Sequence, residues 1–474
     1  MVGHPAIRPS CKRQGKKERL VPEVDLLLSH GPSVTEQELQ RMLSPSLQRW
    51  RRRPQEATKV LASLATLRRT SIAGDVLTLM QKNLVECNVF HFTAYVGACE
   101  KSGQWTWAVR TLKQMQTLPA APNVYTLSSV MNACESRSCW TQASFLLSEM
   151  RLATIEPNVV TCACSSSACE KAAEWQSVLV LLAAIGTIQV RKDVICVNSA
   201  ISACEKVGKW QSALCLLTRM EEDRLLPTIV GFNAAISACD KAGFWQGALQ
   251  LLAAMPLAQF KPDTISYNAA ISACAGSSEW QHALHILEQL ERSEHAADVI
   301  SYSGAISALD SSRWQLALLL FYDMTTARVS PDLIGFSCAI SACERGAAWR
   351  DAFVLVRSMP SRGLQPNLPC FSSAISASSA AAQWDRALTL LHDLEDPNAT
   401  DLFCSNSAIL ACGRGLQWQP ALHIFEIMPQ HDVVSCSSAV PVCEFGVQHL
   451  RLAKLLEEGD RKAVDFFHDL YFGM

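Results

Sequence analysis

Residues 264–298 read TISYNAAISACAGSSEWQHALHILEQLERSEHAAD and contain two helical patterns on either side of a turn at Gly276. In the first pattern, Ala270, Ile271 and Cys274 are spaced to share one face of a helix. The second pattern predicts an amphipathic helix of about three turns, with apolar residues at Trp280, Ala283, Leu284, Leu287 and Leu290. The stretch therefore predicts a helical hairpin, which cannot bury its apolar stripe alone.

The same pattern recurs along the chain, and tryptophan marks its period. Successive tryptophans in this register lie 34 or 35 residues apart, at Trp105, Trp140, Trp175, Trp210, Trp245, Trp280, Trp314, Trp349, Trp384 and Trp418. Because tryptophan is rare, such a register indicates tandem repeats rather than chance. Stacked hairpins would bury each other's apolar stripes, so we expect an all-α fold of helix-turn-helix repeats of about 35 residues.

The register divides the chain into a head, a repeat array and a tail. The repeats are 54–88, 89–123, 124–158, 159–193, 194–228, 229–263, 264–298, 299–332, 333–367, 368–401 and 402–432. Residues 1–53 form a basic N-terminal segment, and residues 433–474 form a degenerate repeat that acts as a C-terminal cap. Many repeats close on proline followed by Asn or Asp, which stop one helix and can cap the next.

Composition and charge limit the class of protein. The chain is 49% hydrophobic and 18% charged, which is typical of a folded protein, and no apolar stretch is long enough to predict a membrane span. Residues 1–70 hold 14 Lys and Arg against 6 Asp and Glu, whereas the remaining 404 residues hold 28 against 38. A basic head on an acidic body favours a separate role for the head.

The cysteines follow the repeat rather than a metal-binding pattern. Most of the register tryptophans are preceded by a cysteine; these are Cys99, Cys134, Cys169, Cys204, Cys239, Cys274, Cys343 and Cys412, and Cys443 follows in the tail. Equivalent positions on successive helices indicate small buried residues in a reducing compartment. With no CxxC in the chain, we expect no zinc site and no metal or other cofactor.

The period, the paired helices and the closing Pro-Asn or Pro-Asp resemble the pentatricopeptide repeat family, over about residues 54–460. The resemblance implies a right-handed superhelical α-solenoid. It also implies sequence-selective binding of single-stranded RNA, in which each repeat contacts one base. The reading residues of the family occupy the fifth and the last position of each repeat, which we call slot 5 and the last slot.

In this chain those slots are polar almost throughout, and Ala163 is the exception. The slot 5 and last-slot pairs are Thr58 with Asn88, Thr93 with Asn123, Ser128 with Asn158, Asn198 with Thr228, Asn233 with Asp263, Asn268 with Asp298, Ser303 with Asp332, Ser337 with Asn367, Ser372 with Asp401, and Asn406 with Asp432. By the family's preferences, Asn with Asp selects uracil, Ser or Thr with Asn selects adenine, and Ser or Thr with Asp selects guanine. From the first repeat onward this implies A, A, A, an unassigned base, a pyrimidine, U, U, G, A, G and U.

Two structural alternatives account for the same residues. The slot 5 side chain could be a helix N-cap, and the last-slot side chain a turn residue. Slot 2 is mostly apolar: Phe90, Tyr125, Val160, Ile195, Val230, Ile265, Ile300, Ile334 and Phe403. In the family the slot 2 side chain sandwiches bases, and the alternative is that it packs the first helix.

Catalytic constellations are missing from the sequence. His423 and Glu426 have HxxE spacing but no further ligands accompany them, so a solvated helix face is the better interpretation. The tail lacks the H-x-E and C-x-x-C signature of the zinc deaminases that some family members carry. We therefore expect no enzyme, no small-molecule substrate and no membrane partner.

The N-terminal segment is rich in Lys and Arg over residues 8–19 and again at 51–53. It resembles an organellar transit peptide, and the resemblance favours a mitochondrion or chloroplast. A disordered RNA-contacting arm or a nuclear signal are the alternatives. The resulting hypothesis is an organellar protein that binds single-stranded RNA in processing, stabilisation, editing or translation, together with recruited RNA-processing proteins. The other hypothesis is a helical scaffold for protein–protein interaction.

Overall fold

The described part of the chain is built of helices. The structure, a computed structural model, describes residues 22–29, 36–117, 121–153, 155–187, 193–293, 296–394 and 402–428, and isolated residues between 434 and 442. Within those ranges there is no strand, so the predicted all-α fold of stacked helix-turn-helix repeats is confirmed. No helix found there has both the length and the apolar character needed to cross a bilayer.

The chain divides into two compact units. Unit 1 comprises Met1–Val207 with Thr218–Leu226, and unit 2 comprises Gly208–Leu217 with Pro227–Met474. The helices of unit 1 are α1 (Pro22–Ser29), α2 (Glu36–Arg52), α3 (Pro54–Thr66), α4 (Thr70–Lys82), α5 (Val89–Ser102), α6 (Trp105–Thr117), α7 (Val124–Glu135), α8 (Trp140–Leu152), α9 (Val159–Lys171), α10 (Trp175–Thr187) and α11 (Val194–Val207). Helix α12 (Trp210–Glu222) contributes residues to both units.

Unit 1 stacks successive hairpins, each with a first and a second helix. The first helices α3, α5, α7, α9 and α11 contact one another in order, and each second helix contacts its own first helix and the next one. At the N-terminal end, α1 and α2 pack against the α3–α4 hairpin. Residues 22–29 and 36–52 of the segment assigned to the basic head are therefore helical and packed on the array.

Unit 2 repeats this arrangement. Its remaining helices are α13 (Ile229–Lys241), α14 (Trp245–Leu257), α15 (Thr264–Gly276), α16 (Trp280–Arg292), α17 (Val299–Ala308), α18 (Trp314–Thr326), α19 (Leu333–Arg345), α20 (Trp349–Ser358), α21 (Leu368–Ala380), α22 (Trp384–His392), α23 (Leu402–Arg414) and α24 (Trp418–Ile427). Short 3-10 turns at Ser311–Arg313 and Pro360–Arg362 precede α18 and follow α20. The first helices, from α13 to α23, again form a continuous contacting row.

Small side chains allow the first helices to approach closely. In α15, Ala270, Ile271, Ala273 and Cys274 are all fully buried. The repeat cysteines from Cys99 to Cys412 are buried in the same way, whereas Cys443 lies outside the described residues. Burial raises the pKa of the Cys134 thiol to about 12, so this thiol stays neutral and packs as an apolar residue.

The register tryptophans pack between repeats but are only half-buried. Each begins a second helix, and contacts with the following repeat are made by Trp210, Trp245, Trp280 and Trp314. The Arg313 guanidinium lies 4.2 Å from the ring centroid of Trp280. A Cβ on Gly346 would lie 2.2 Å from Trp314, so only glycine allows this approach. Tryptophan therefore joins one repeat to the next, at the outer turn rather than in the innermost core.

Candidate nucleic-acid interface

The last-slot residues cap the first helices that follow them. Each side-chain oxygen accepts a hydrogen bond from the backbone N–H three residues later, and the caps are Asn88, Asn123, Asn158, Thr228, Asp263, Asp298, Asp332 and Asn367. Such a cap contributes about 1 kcal/mol to helix stability. The last slot therefore has a structural role. A cap uses only one side-chain oxygen, so the second polar atom of each Asn or Asp can make a further contact.

Slot 5 does not cap a helix, so the N-cap alternative for this slot is wrong. Since the first helices begin at slot 1, slot 5 lies inside them, in the second turn. The Thr93 and Ser128 hydroxyls each donate to the carbonyl four residues earlier, on Val89 and Val124, at 2.7 Å. Because the hydroxyl proton is used within the helix, the oxygen lone pairs remain as acceptors.

Slot 5 and the last slot of one repeat meet through side chains. The Asn233 amide donates to Asp263 at 3.1 and 3.3 Å, to Oδ1 and Oδ2 respectively. The Ser266 hydroxyl, in slot 3 of the next repeat, lies 2.5 Å from Asn233 Oδ1 and 2.8 Å from Asp263 Oδ1. Its single proton can serve one of them at a time. The three side chains form a closed network.

The next repeat contains the same network with the same distances. Asn268 donates to Asp298 at 3.1 and 3.3 Å, and the Ser301 hydroxyl lies 2.5 Å from Asn268 Oδ1 and 2.8 Å from Asp298 Oδ1. Burial opposes ionisation of Asp298, but hydrogen bonds from Ser301 and Asn268 outweigh it and lower the pKa of the carboxyl. The pKa of Asp263 is lowered for the same reasons. Both carboxylates are therefore ionised at neutral pH.

The pair of Thr93 with Asn123 meets indirectly, through slot 3 of the next repeat. The Thr126 hydroxyl lies 2.9 Å from Thr93 Oγ1 and 2.8 Å from Asn123 Oδ1, and its single proton can serve one of them at a time. Slot 3 was not among the residues predicted from the sequence. Its signal was nevertheless present, because Ser or Thr three residues after an N-cap is the spacing of a capping box.

The remaining predicted residues are placed as follows. Ser303 and Asp332 are not joined, because slot 3 of the following repeat is Gly335, which has no side chain. Thr58 donates to the Pro54 carbonyl at 3.4 Å, and Ser372 to the Pro369 carbonyl at 3.0 Å. Asn198 belongs to unit 1 and Thr228 to unit 2, Ser337 is half-buried, and Asn406 is buried. Asp401 and Asp432 lie outside the described residues.

The slot 2 side chains are exposed, so the alternative that they pack the first helix is wrong. Their exposed fractions run from 51% to 69%, over Phe90, Tyr125, Val160, Ile195, Val230, Ile265, Ile300, Ile334 and Phe403. In each unit this leaves a row of apolar side chains on the first-helix face with no protein partner to bury them. A regular exposed apolar row on a folded protein marks a binding surface.

Two of these side chains enclose a cleft in unit 1. Phe90 and Tyr125 line a cavity of about 670 Å³, together with Thr93 and Asn123. Glu100 and Lys101 also line it. The cleft thus combines two exposed aromatic rings with one complete slot 5 and last-slot pair.

Charged residues alternate beside the slots of unit 1. The Lys171 ammonium lies 2.9 Å from the Glu135 carboxylate of the previous repeat, and Lys206 lies 4.0 Å from Glu170 in the same relation. Each of these two cations is thereby paired with an anion. A phosphate group at this edge would therefore meet ion pairs rather than a strongly positive stripe.

The described residues contain no group of three His, Cys, Asp or Glu side chains that could hold a metal ion. His423 and Glu426 are both exposed on α24. Their exposure agrees with the solvated helix face expected for the HxxE spacing.

Comparison with known proteins identifies the repeat. Three family profiles match: a pentatricopeptide repeat domain over residues 181–242, a pentatricopeptide repeat-containing protein over residues 57–183, and a single repeat of the same kind over residues 265–295. No curated protein sequence matches the chain.

Solved structures are similar to this chain, and one of them, with a TM-score above 0.5, agrees on the fold. The crystal structure of the pentatricopeptide repeat protein PPR10 from maize is 16% identical, covers 94% of this chain and 73% of its own, and gives a TM-score of 0.57. PPR10 in complex with an 18-nt psaJ RNA element is 16% identical, covers 92% of this chain and 73% of its own, and gives a TM-score of 0.47. With the hairpin register, the capped first helices and the three family profiles in agreement, the chain belongs to the pentatricopeptide repeat family.

Proposed function

We propose that this protein binds single-stranded RNA along the row of first helices, with one base per repeat. The observation that carries the proposal is the cleft between Phe90 and Tyr125, which has Thr93 and Asn123 in its lining. Aromatic rings bind any base by stacking, and short polar side chains select among bases through the base edge. A cleft that offers both is the chemistry expected of a base-reading site.

The slot networks would prepare these polar groups for binding. In the repeat 229–263, Asn233 is held by Asp263 and Ser266 before any ligand arrives. A side chain already fixed in one rotamer loses less entropy on binding, and it rejects a mismatched edge because it cannot turn away. The networks therefore support base discrimination more than raw affinity.

Electrostatics supports a selective rather than a strongly basic RNA binder. Lys171 and Lys206 are each paired with a glutamate of the preceding repeat. RNA affinity falls with salt according to the number of phosphates that cations neutralise. Because these cations are compensated, we expect a shallow salt dependence, with stacking and base-edge contacts supplying much of the affinity.

In the cell the protein would act in an organelle, mitochondrion or chloroplast, on RNA processing, stabilisation, editing or translation. Residues 8–19 carry the basic composition of a targeting segment. Since α1 begins at Pro22 and packs on the first hairpin, a cleaved leader would end before that residue. The mechanism would be passive: the array shields or remodels a strand, and partner proteins supply any chemistry.

The first experiment measures binding of the full chain to a labelled RNA with the base order given above, against its scrambled version, across a salt series. Phe90→Ala and Tyr125→Ala should each weaken binding by about 1–3 kcal/mol, the usual contribution of one stacked base. Neither should lower the melting temperature, because both rings are exposed. Phe145→Ala is the matched control, since Phe145 is also more than half exposed but lies on the second helix α8.

The second experiment tests selectivity in one repeat. Asn268→Ser converts an Asn-Asp pair to a Ser-Asp pair, so preference at the matching base should change from U to G. Loss of binding to the original RNA and its recovery with the substituted RNA would support one-base-per-repeat recognition. Absence of binding to any RNA at low salt would refute the proposal and favour a scaffold for protein partners.

A further inference from the structure

The first repeat lacks the tryptophan that opens the second helix of the later repeats. At this position the other repeats place an indole against the following hairpin: Trp210 stacks on Phe244 with centroids 4.2 Å apart, and Trp245 stacks on His282 at 4.9 Å. The residue in the same register of repeat 54–88 is Thr70. A bulky planar ring is thus replaced by a small hydroxyl side chain.

The residues that would contact the ring are changed as well. Gln104 occupies the register of Phe244, and Thr70 donates to its Oε1 at 2.9 Å. Trp107 occupies the register of His282 and leaves half of its surface, 50%, exposed. The Trp107 ring is therefore present at this position, but no tryptophan ring stacks on it, because Thr70 occupies that register.

A cleft occupies the space so left open. Its volume is about 560 Å³, and Thr70, Gly74, Tyr95, Gln104 and Trp107 contribute to its lining. A Cβ on Gly74 would lie 3.0 Å from the Tyr95 hydroxyl, so the glycine keeps this side of the cleft open. Ligand-binding clefts commonly have volumes of about 300–1,000 Å³.

The rim of the cleft is polar and carries both signs of charge. Asp75 and Arg110 line it, and both act electrostatically on the Tyr95 hydroxyl. The Arg110 guanidinium lies 5.7 Å from the Trp107 ring centroid. Thr78 and Gln114 add a hydroxyl and an amide. An apolar planar wall beside charges of both signs fits a ligand that is aromatic at one end and polar at the other.

We propose that this cleft binds a planar aromatic ring of about the size of an indole, bearing a polar substituent. The ring stacks on Trp107 in the place that a repeat tryptophan fills elsewhere, and the substituent meets Asp75 and Arg110. The cleft lies between the second helices α4 and α6, away from the slot 2 residues of the first-helix face. The proposal therefore stands independently of RNA binding.

The test is calorimetric titration of the full chain with indole, and then with the tripeptide Gly-Trp-Gly, against Gly-Ala-Gly. Thr70→Trp should fill the cleft from within, weaken the binding of indole at least about tenfold and raise the melting temperature of the free protein. Thr141→Trp is the matched control, because Thr141 is exposed on α8 outside the cleft. It should leave indole binding unchanged.

The outcomes separate cleanly. Binding of indole that Thr70→Trp abolishes supports the cleft, and tighter binding of Gly-Trp-Gly identifies an aromatic side chain of a peptide as the source of the ring. Equal binding of both points to a free aromatic molecule. No heat and no rise in melting temperature with either probe would overturn the proposal, as would undiminished indole binding by a folded Thr70→Trp variant.

Discussion

Two neighbouring junctions of unit 2 are capped alike but are connected differently. At the first, Asp298 caps α17, and Ser301 links it to Asn268 of the preceding first helix, α15. At the second, Asp332 caps α19 in the same way, accepting the Gly335 N–H at 2.8 Å. Slot 3 there is glycine, and in the described part of the chain the buried Ser303 hydroxyl has no hydrogen-bond partner.

The difference separates two roles that the repeat combines. Capping requires only the last-slot side chain, so both first helices begin correctly. A hydroxyl in slot 3 of the next repeat adds a second link between the last slot and slot 5, beside the direct bond from the Asn268 amide to Asp298. At the second junction slot 5 is Ser303, which makes no direct bond to Asp332, so slot 3 determines whether these two reading residues are held together before ligand binds. The slot 3 substitutions below convert one junction toward the other.

The largest effect should come from Ser301→Gly, which makes the first junction resemble the second. The substitution removes a fully buried hydroxyl whose single proton serves either Asn268 Oδ1 or the Asp298 carboxylate. Hydrogen bonds to charged groups contribute about 1.5–3 kcal/mol, and glycine in a helix costs about 1 kcal/mol more. Chemical denaturation should show a loss of about 2.5–4 kcal/mol, the sum of the two contributions. The control Ser301→Ala should lose about 1 kcal/mol less than Ser301→Gly, because alanine avoids the backbone cost of glycine in a helix.

A smaller effect of opposite sign is expected for Gly335→Ser, which supplies the missing hydroxyl. A Cβ there would lie 3.6 Å from Asp332 Oδ1 and 3.8 Å from Met324 Cε, both ordinary contacts. Thr93 and Thr126 demonstrate that two hydroxyls in these slots reach each other, at 2.9 Å. The gain should be about 1–2 kcal/mol. If Gly335→Ala gains as much, the hydroxyl has formed no bond.

Acid should weaken the first junction. The folded-state pKa of Asp298 is lowered by its hydrogen bonds, so its contribution is complete above an unfolded pKa of about 4 and is lost as pH falls through the lowered value. Asp298→Asn keeps the cap but does not titrate. Its free energy of unfolding should decline less steeply below about pH 4 than that of the wild type. The exposed Asp385→Asn is the control, and a parallel decline in all three proteins would contradict the expectation.

The sequence predicts the period, the helical hairpins and the buried cysteines because each depends on residues close in the chain. Cys274, for example, follows from the helical spacing of Ala270 and Ile271. The connection of Asn268 to Ser301 could not be read this way, because these residues are 33 positions apart and meet only when repeats stack. The helix α2 had a signal that was overlooked: Leu39, Leu43, Leu47 and Trp50 lie on one face and are buried.

The exposure of the slot 2 side chains was the least predictable feature. An apolar side chain in the first turn of a helix, such as Ile265, satisfies both core packing and exposure on a binding face. Only the arrangement of neighbouring first helices decides between them. The cleft beside Trp107 depended on a similar long-range relation, since the replacement of tryptophan by Thr70 matters only through the repeat that stacks on it.

The smallest change in stability should come from Ser303→Ala, which tests directly whether slot 3 connects the two reading residues. The hydroxyl is buried without a partner, so its removal relieves a desolvation cost and should alter stability by only about 0–1 kcal/mol, in the stabilising direction. The base preference proposed for this repeat should nevertheless be lost. The outcome should reverse in a Gly335→Ser background, where the hydroxyl has a partner. There, Ser303→Ala should cost about 1 kcal/mol, and a double-mutant cycle without coupling would mean that slot 3 does not connect the two reading residues.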